Sequence, residues 1–387
     1  MTRYIDATHA ERAVADRRWF HQHAELSNKE FETTHYIEQA MQELGLEIHR
    51  TGDTGLIATL CGKHPGPTLG IRADIDALPL QEENCHSYRS LNDGVMHACG
   101  HDAHTASLMA AARYLADHRE DIGGTVKFMF QPAEEYFPSG ALRLLNTGYL
   151  DDCDAFLGFH VQSQIPVGKY AISKGAICAA SCSINVDILG KGGHGGVPQS
   201  AVDATVAACA VVMNLQTFVS RELDPFHPLA VSIGVLYSGT AKNIISERAH
   251  MEGTIRYFDM EEASHFQVSL RRIAENTAAA FGARAEVEFV PGLDPVINEG
   301  AMTEYAVHAA VAVRGEESVI PADPGAGCDD FCYYCNRRPS VYVNIGAMNE
   351  AKIPAYGHHN PRFDIDEDCI ANAADFICQF VKDYCHP

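Results

Sequence analysis

Leu69-Gly70-Ile71-Arg72-Ala73-Asp74-Ile75-Asp76-Ala77-Leu78-Pro79 is an apolar run that closes on two carboxylates and a proline. Stretches 125–130, 155–159 and 341–345 share its character, being short, apolar and sparing in charge. Such runs fit strands of a parallel or mixed sheet buried on both faces. Between them, the Ala-rich stretch 105–115 and the shorter 140–145 read as helices, and 10–45 reads as helical as far as Gly45. The alternation of strand and helix is an α/β pattern.

From about Ser181 the pattern changes. Residues 183–189 alternate as a half-buried strand, 201–222 forms a long helix, and 230–236 and 248–256 are strands. A second helix over 261–281 precedes a strand at 285–290. The order β-α-β-β-α-β belongs to a ferredoxin-like unit. The spacing therefore predicts a satellite domain over 181–291, inserted into a domain built from 1–180 and 292–387.

Chemistry gathers where the apolar strands stop. Asp74 and Asp76 follow the first, Glu134 and Glu135 follow the second in Gln131-Pro132-Ala133-Glu134-Glu135, and His160 ends the third. Ligand sites of open α/β sheets form outside the carboxyl ends of strands, so these residues are expected to converge. His97-Ala98-Cys99-Gly100-His101-Asp102 precedes the Ala-rich helix and places Cys99 and His101 two apart on an expected loop, where both can face one ion. Thiolate plus imidazole suits zinc and tolerates manganese, cobalt or nickel. Adjacent glutamates point differently, so one can bind metal while the other faces substrate as a proton acceptor. Near the C-terminus, Gly357-His358-His359-Asn360-Pro361-Arg362 offers two more imidazoles, and spacing alone does not choose between them.

Composition narrows the partners. Twenty-nine basic against 51 acidic side chains leave a net charge of −22, which argues against nucleic acid and anionic membranes. No apolar run approaches the length of a membrane span, and residues 1–18 are too polar for a signal peptide. Thirteen cysteines, odd in number and scattered singly, read mostly as small buried thiols of a cytoplasmic protein.

Taken together these motifs resemble the M20 metallopeptidases, and within them the amidohydrolase branch of aminoacylases, hippurate hydrolases and auxin-conjugate hydrolases. The likeness runs from His21-Gln22-His23-Ala24-Glu25-Leu26-Ser27 through the segments quoted above to Gly190-Lys191-Gly192-Gly193-His194, Asn243-Ile244-Ile245, Gly253-Thr254-Ile255-Arg256 and His359-Asn360-Pro361-Arg362. It implies a zinc-peptidase-like catalytic domain with a mostly parallel sheet and a satellite dimerisation domain. It further implies that Cys99, His101, Glu135, His160 and His359 bind two divalent ions, zinc or manganese, with cobalt or nickel admissible. Glu134 would then be the general base and Asp76 would orient a ligand imidazole. His194, reaching a partner's site in a homodimer, would hold the oxyanion, and Asn243 and Arg256 would bind the substrate carboxylate. The implied reaction is hydrolysis of a small N-acyl-L-amino acid to a carboxylic acid and a free amino acid. A dipeptidase of the same family is the alternative, and a metal-binding homologue without turnover is a third reading.

Three positions depart from the branch. Tyr136-Phe137-Pro138 follows Glu135 where glycines are common, Gln199 stands where a histidine is common, and Gly327-Cys328-Asp329-Asp330-Phe331 replaces a Ser/Ala-Glu-Asp-Phe motif. These changes bear on the choice of substrate more than on the reaction.

Overall fold

The computed structural model describes residues 2–354 and 356–386. The chain forms two compact units. The first takes the residues up to Ile177, Ile297–Asp323 and those from Asp330 onward; the second takes Cys178–Val296 and Pro324–Asp329.

The first unit is built on an eight-stranded sheet. Its order is Glu47–Arg50, Leu56–Cys61, Gly123–Gln131, His64–Asp74, Ala155–Pro166, Ser340–Met348, Tyr170–Ala171, Val319–Ile320. The four central strands run parallel, with Asp74 opposite Gln131, Arg72 opposite Gly158 and His160 opposite Asn344. Parallel pairing puts their carboxyl ends on one edge, the condition for the acidic and imidazole residues to meet. Residues 69–74, 126–131 and 340–343 of the central strands are buried without a break, which is why they read as apolar runs. Helices Ala7–Gln22, His101–Asp117, Gly300–Arg314 and Asp368–Tyr384 pack together beside the sheet. Alanines of His101–Asp117 such as Ala106, Ala110 and Ala111 are fully buried, letting the neighbouring helices approach closely.

Local pattern and structure differ at four places. The helix expected over 10–45 is two helices, Ala7–Gln22 and Phe31–Glu43. The break is held by distant partners: Leu26 bridges Ala77, and the Glu30 carboxylate accepts from the backbone of Asn28 and Ala133. The Ala-rich helix begins at His101 itself, so His101 opens a helix instead of lying on a loop. Gly100 caps it at φ 90°, and a Cβ there would meet Val161 Cγ2 at 2.5 Å. The strand expected to end before His160 continues to Pro166, paired along Ser340–Met348, so His160 sits within it. The helix read over 201–222 spans Ala204–Thr217 behind an Asp203 cap, then loosens into a π-helical turn at Phe218–Glu222.

In the second unit, Leu229–Ser238, Arg248–Tyr257, Ala180–Leu189 and Arg284–Pro291 form an antiparallel sheet in that order. Helices Ala204–Thr217 and Glu261–Ala280 connect them, giving β-α-β-β-α-β along the chain. Ala180–Leu189 alternates buried and open positions, and Ile184, Val186 and Ile188 join Ala207, Val211, Phe266 and Leu270 in a separate core.

Candidate metal centre

Asp74 closes its strand fully buried, so its charge must be met by protein groups. Arg72 donates to it at 2.5 Å and His104 Nδ1 stands 2.5 Å away. Burial opposes ionisation of Asp74, but Arg72 with His101 and His104 outweighs it and holds the pKa well below the usual carboxylate range. His104 Nε2 accepts from the Val161 backbone N–H at 2.9 Å, which fixes its proton on Nδ1 and pins the strand beside His160. Arg72 also donates to Asp330, which accepts from Gln131 and Ser139. This buried network stiffens the carboxyl edge of the sheet. His104 was not singled out from sequence. Its position three residues beyond His101, on the same helical face, was the available signal.

Two of the candidate ligands, His101 and His160, are gripped on the far side of the ring. His101 Nδ1 lies 2.9 Å from the Asp76 carbonyl and 3.4 Å from its carboxylate. Asp76 is held by Ser27 at 2.7 Å and by the backbone N–H of Glu135 at 3.1 Å. His101 Nε2 is therefore turned the other way, 4.0 Å from Glu134 Oε2, buried and without a hydrogen bond. His160 directs Nδ1 to the Val161 carbonyl at 2.7 Å and Nε2 to Cys99 Sγ at 3.4 Å. His359 Nε2 lies 3.0 Å from Glu135 Oε1, a buried oxygen that accepts no well-aligned hydrogen bond. His358 turns away, its Nε2 3.0 Å from the Val161 carbonyl and its ring against His160 and Phe363. Ala133 (φ 49°) and His359 (φ 61°) hold left-handed backbone, a conformation that costs about 1–3 kcal/mol each and clusters at functional sites.

The structure thus brings Asp76, Cys99, His101, Glu134, Glu135, His160 and His359 together. Ligand atoms of Cys99, His101 and His160 lie within 4.8 Å of one another, as do those of Cys99, Glu135 and His359, and those of His101, Glu134 and Glu135. Two triples share the Cys99 sulfur. Thiol, imidazole and carboxylate around two buried, unsatisfied atoms fit a divalent cation pair.

Without cations, protons hold these groups together. Burial works against a charged His101, but Asp74 and Cys99 outweigh it and push its pKa well above the ordinary imidazole value. Cys99 and Glu135, close beside its ring, raise His359 to about 10. Burial raises the Cys99 thiol. His160, buried beside His104 and His358, stays neutral and ready to donate a lone pair.

The remaining sequence-derived residues lie in the second unit. His194 pairs with Ile244 across a short ladder and is exposed, and its Nδ1 accepts from Gly196 N–H at 3.0 Å. Asn243 is next to that ladder, its carbonyl accepting from Gly195 at 2.9 Å. Arg256 lies on Arg248–Tyr257 with its guanidinium against Cys328 Sγ. All thirteen cysteines are free thiols, and no described helix is long and apolar enough to cross a membrane.

A family model for peptidases M20/M25/M40 matches residues 70–383. An N-acetylcysteine deacetylase of Bacillus subtilis is 37% identical over 370 residues, covering 95% of each chain. An N-acyl-L-amino acid amidohydrolase of Geobacillus stearothermophilus is 42% identical over 286 residues, 74% of this chain and 77% of its own. Among solved structures, the Bacillus subtilis YXEP protein, a dinuclear metal-binding peptidase, superposes with a TM-score of 0.88 at 34% identity, covering 98% of this chain and 99% of its own.

Proposed function

The chain belongs to the peptidase family M20/M25/M40 and is a hydrolase of amide bonds, and from that premise we propose that it splits N-acyl-L-amino acids into a carboxylic acid and a free amino acid. The observation that carries the proposal is the pair of ligand triples sharing Cys99, with Glu134 beside them. Cys99, His101, Glu135, His160 and His359 hold two divalent cations, zinc or manganese by the mixed thiolate, imidazole and carboxylate set, with cobalt or nickel accepted. Bound there, the cations supply Lewis acidity toward the amide carbonyl and the attacking water.

The protein's own groups do the rest. Glu134 takes a proton from the attacking water and delivers it to the leaving nitrogen, the transfer without which an amine anion would have to depart. Asp76 keeps His101 Nδ1 engaged, so that Nε2 is the donor atom. His194, supplied by a second copy of the chain, donates to the developing oxyanion. Its Nδ1 already accepts from Gly196, which leaves the proton of the neutral ring on Nε2. Asn243 and Arg256 receive the substrate carboxylate, Arg256 through a charge-assisted contact. Tyr136 and Phe137, 62% and 67% exposed directly after the two glutamates, offer an aromatic surface to the acyl group.

A homodimer is supported by the second unit. Leu229–Ser238 lies at one edge of its sheet with Leu236 and Tyr237 exposed, and Val206 and Met213 are exposed seven residues apart on one helical face. Light scattering is expected to give the mass of two chains, and Tyr237→Glu with Met213→Glu to give one. Free thiols throughout support a reducing, cytoplasmic setting.

The deciding experiment is Glu134→Gln, with metal content and amino-acid release measured together. The variant should keep its metal and lose at least about a hundredfold in kcat, the loss expected of a missing general base. Full activity in Glu134→Gln would end the mechanism. A panel of N-acetyl amino acids, hippurate and dipeptides separates amidohydrolase from dipeptidase.

A further inference from the structure

Asp102, one residue beyond His101, faces a different cluster. Its Oδ2 accepts from Arg17 Nε at 2.8 Å and lies 2.8 Å from His21 Nδ1. The other nitrogen of His21, Nε2, is 3.2 Å from Glu82 Oε1, and that same oxygen is 3.0 Å from His86 Nε2. His86 Nδ1 faces Asp364 Oδ2 at 3.9 Å. Two imidazoles thus present Nε2 to one carboxylate oxygen, and each has an aspartate behind its Nδ1. The second oxygen of Glu82 is occupied by the Ser90 N–H at 2.7 Å, so Oε1 is the one left for the imidazoles.

Three features point from this geometry to a cation. Two histidines and a glutamate form a known zinc ligand set; Asp102 orients His21 as an outer partner would, while Asp364, 3.9 Å from His86 Nδ1, adds charge only. Separations of 3.0 and 3.2 Å are close to the ~3.3 Å edge of a tetrahedron whose bonds are ~2.0–2.1 Å. Side chains of His21 and Glu82 are 0% and 3% exposed, whereas His86 is 17% exposed and leaves a route for an ion. Charge agrees: Glu82, Asp102, Asp364 and Glu367 stand against Arg17 and Arg18. Tyr88, stacked on His86 with ring centres 4.1 Å apart and lying beneath both arginine guanidinium groups, stiffens the outer wall.

We propose that His21, Glu82 and His86 form a further divalent-cation site, suited to zinc, with its remaining position open to water. Bound there, the ion ties the Ala7–Gln22 helix to the segment carrying Glu82 and His86, and sets Asp102, hence the start of the His101 helix, in place. None of its ligands belongs to the hydrolytic centre, so the proposal stands or falls separately from the catalytic reading.

The test is zinc stoichiometry by mass spectrometry after equilibration in zinc-buffered solution. His86→Ala is expected to hold one zinc equivalent fewer than the wild type while still hydrolysing substrate. Cys99→Ala, disabled at the first centre, should retain an equivalent that Cys99→Ala/His86→Ala loses. Cobalt titration of Cys99→Ala provides a second reading: one equivalent should give a visible d–d band that is lost in Cys99→Ala/His86→Ala, whereas a band that persists there belongs to what remains of the first centre. Equal zinc content in wild type and a folded His86→Ala, or no cobalt uptake by Cys99→Ala, would overturn the site and leave a hydrogen-bonded network around His21.

Discussion

At the carboxyl edge of the parallel sheet, the ligand imidazoles of His101 and His160 are held from behind. His101 leans on Asp76, His160 on the Val161 carbonyl, and the strand beneath them is pinned by His104 and Asp74. In the second unit, His194 is exposed on a two-residue ladder, with Gly196 N–H on its Nδ1. The first arrangement suits cation binding, where several donors must converge to within a few tenths of an ångström before the ion arrives. The second suits a group that meets the reacting oxygen only when a complex forms. Proton-coupled, cooperative behaviour is therefore expected of the sheet edge, and simple loss of one hydrogen bond of the short ladder.

The largest effect concerns pH. In the cation-free protein His359 titrates near 10 and His101 well above its ordinary value, so both carry protons at neutral pH. A group with a raised pKa keeps its proton below that pKa, and the ion must displace it. Cation affinity should accordingly rise with pH and fall as pH drops, about tenfold per pH unit for each proton displaced. The two imidazole protons give about 10⁴-fold between pH 8 and pH 6, and the proton of the raised Cys99 thiol, which must also leave, steepens this further. Zinc-competition titrations at those two values, with proton release followed calorimetrically, measure it. An affinity independent of pH would mean that the imidazoles are already unprotonated and that the sheet edge is not held by shared protons.

The short ladder that carries His194 should behave differently. His194→Ala is expected to leave metal content and the pH dependence of metal binding untouched, while lowering kcat by about 10²–10³-fold, the cost of one oxyanion donor. A variant that loses metal would erase the distinction between the two regions. One with unchanged kcat would remove His194 from the chemistry.

How much of this was legible in sequence follows the same division. The carboxylates at Asp74 and Glu134–Glu135 were visible because a parallel sheet requires buried apolar strands and leaves polar residues at their ends. What was missed depends on partners far away in the chain. No local pattern announces that Glu30 will receive the Ala133 N–H and break a helix, or that Val161 will settle which nitrogen of His104 carries a proton. His86 lies in none of the segments that carry the family likeness, and only the fold brings it to Glu82 and His21. His194, Asn243 and Arg256 were reached through resemblance alone, since nothing in spacing sets a glycine-flanked histidine apart from an ordinary turn.

The smallest effect tests the support behind one ligand. Asp76 offers His101 both its carbonyl and, at 3.4 Å, its carboxylate, and the carboxylate is also tied to Ser27 and the Glu135 N–H. Asp76→Asn retains the backbone carbonyl and most of the shape, and removes the charge that makes the imidazole a stronger donor. Metal affinity should weaken about 10–100-fold, the usual cost of an altered outer partner, with kcat recovering when metal is raised. Recovery separates a positioning role from a catalytic one, because a group that handled the reacting proton could not be replaced by more metal. If Asp76→Asn bound metal as tightly as the wild type, the backbone carbonyl alone would be orienting His101. The rigidity of the sheet edge would then reside in the strand and not in the carboxylate that ends it.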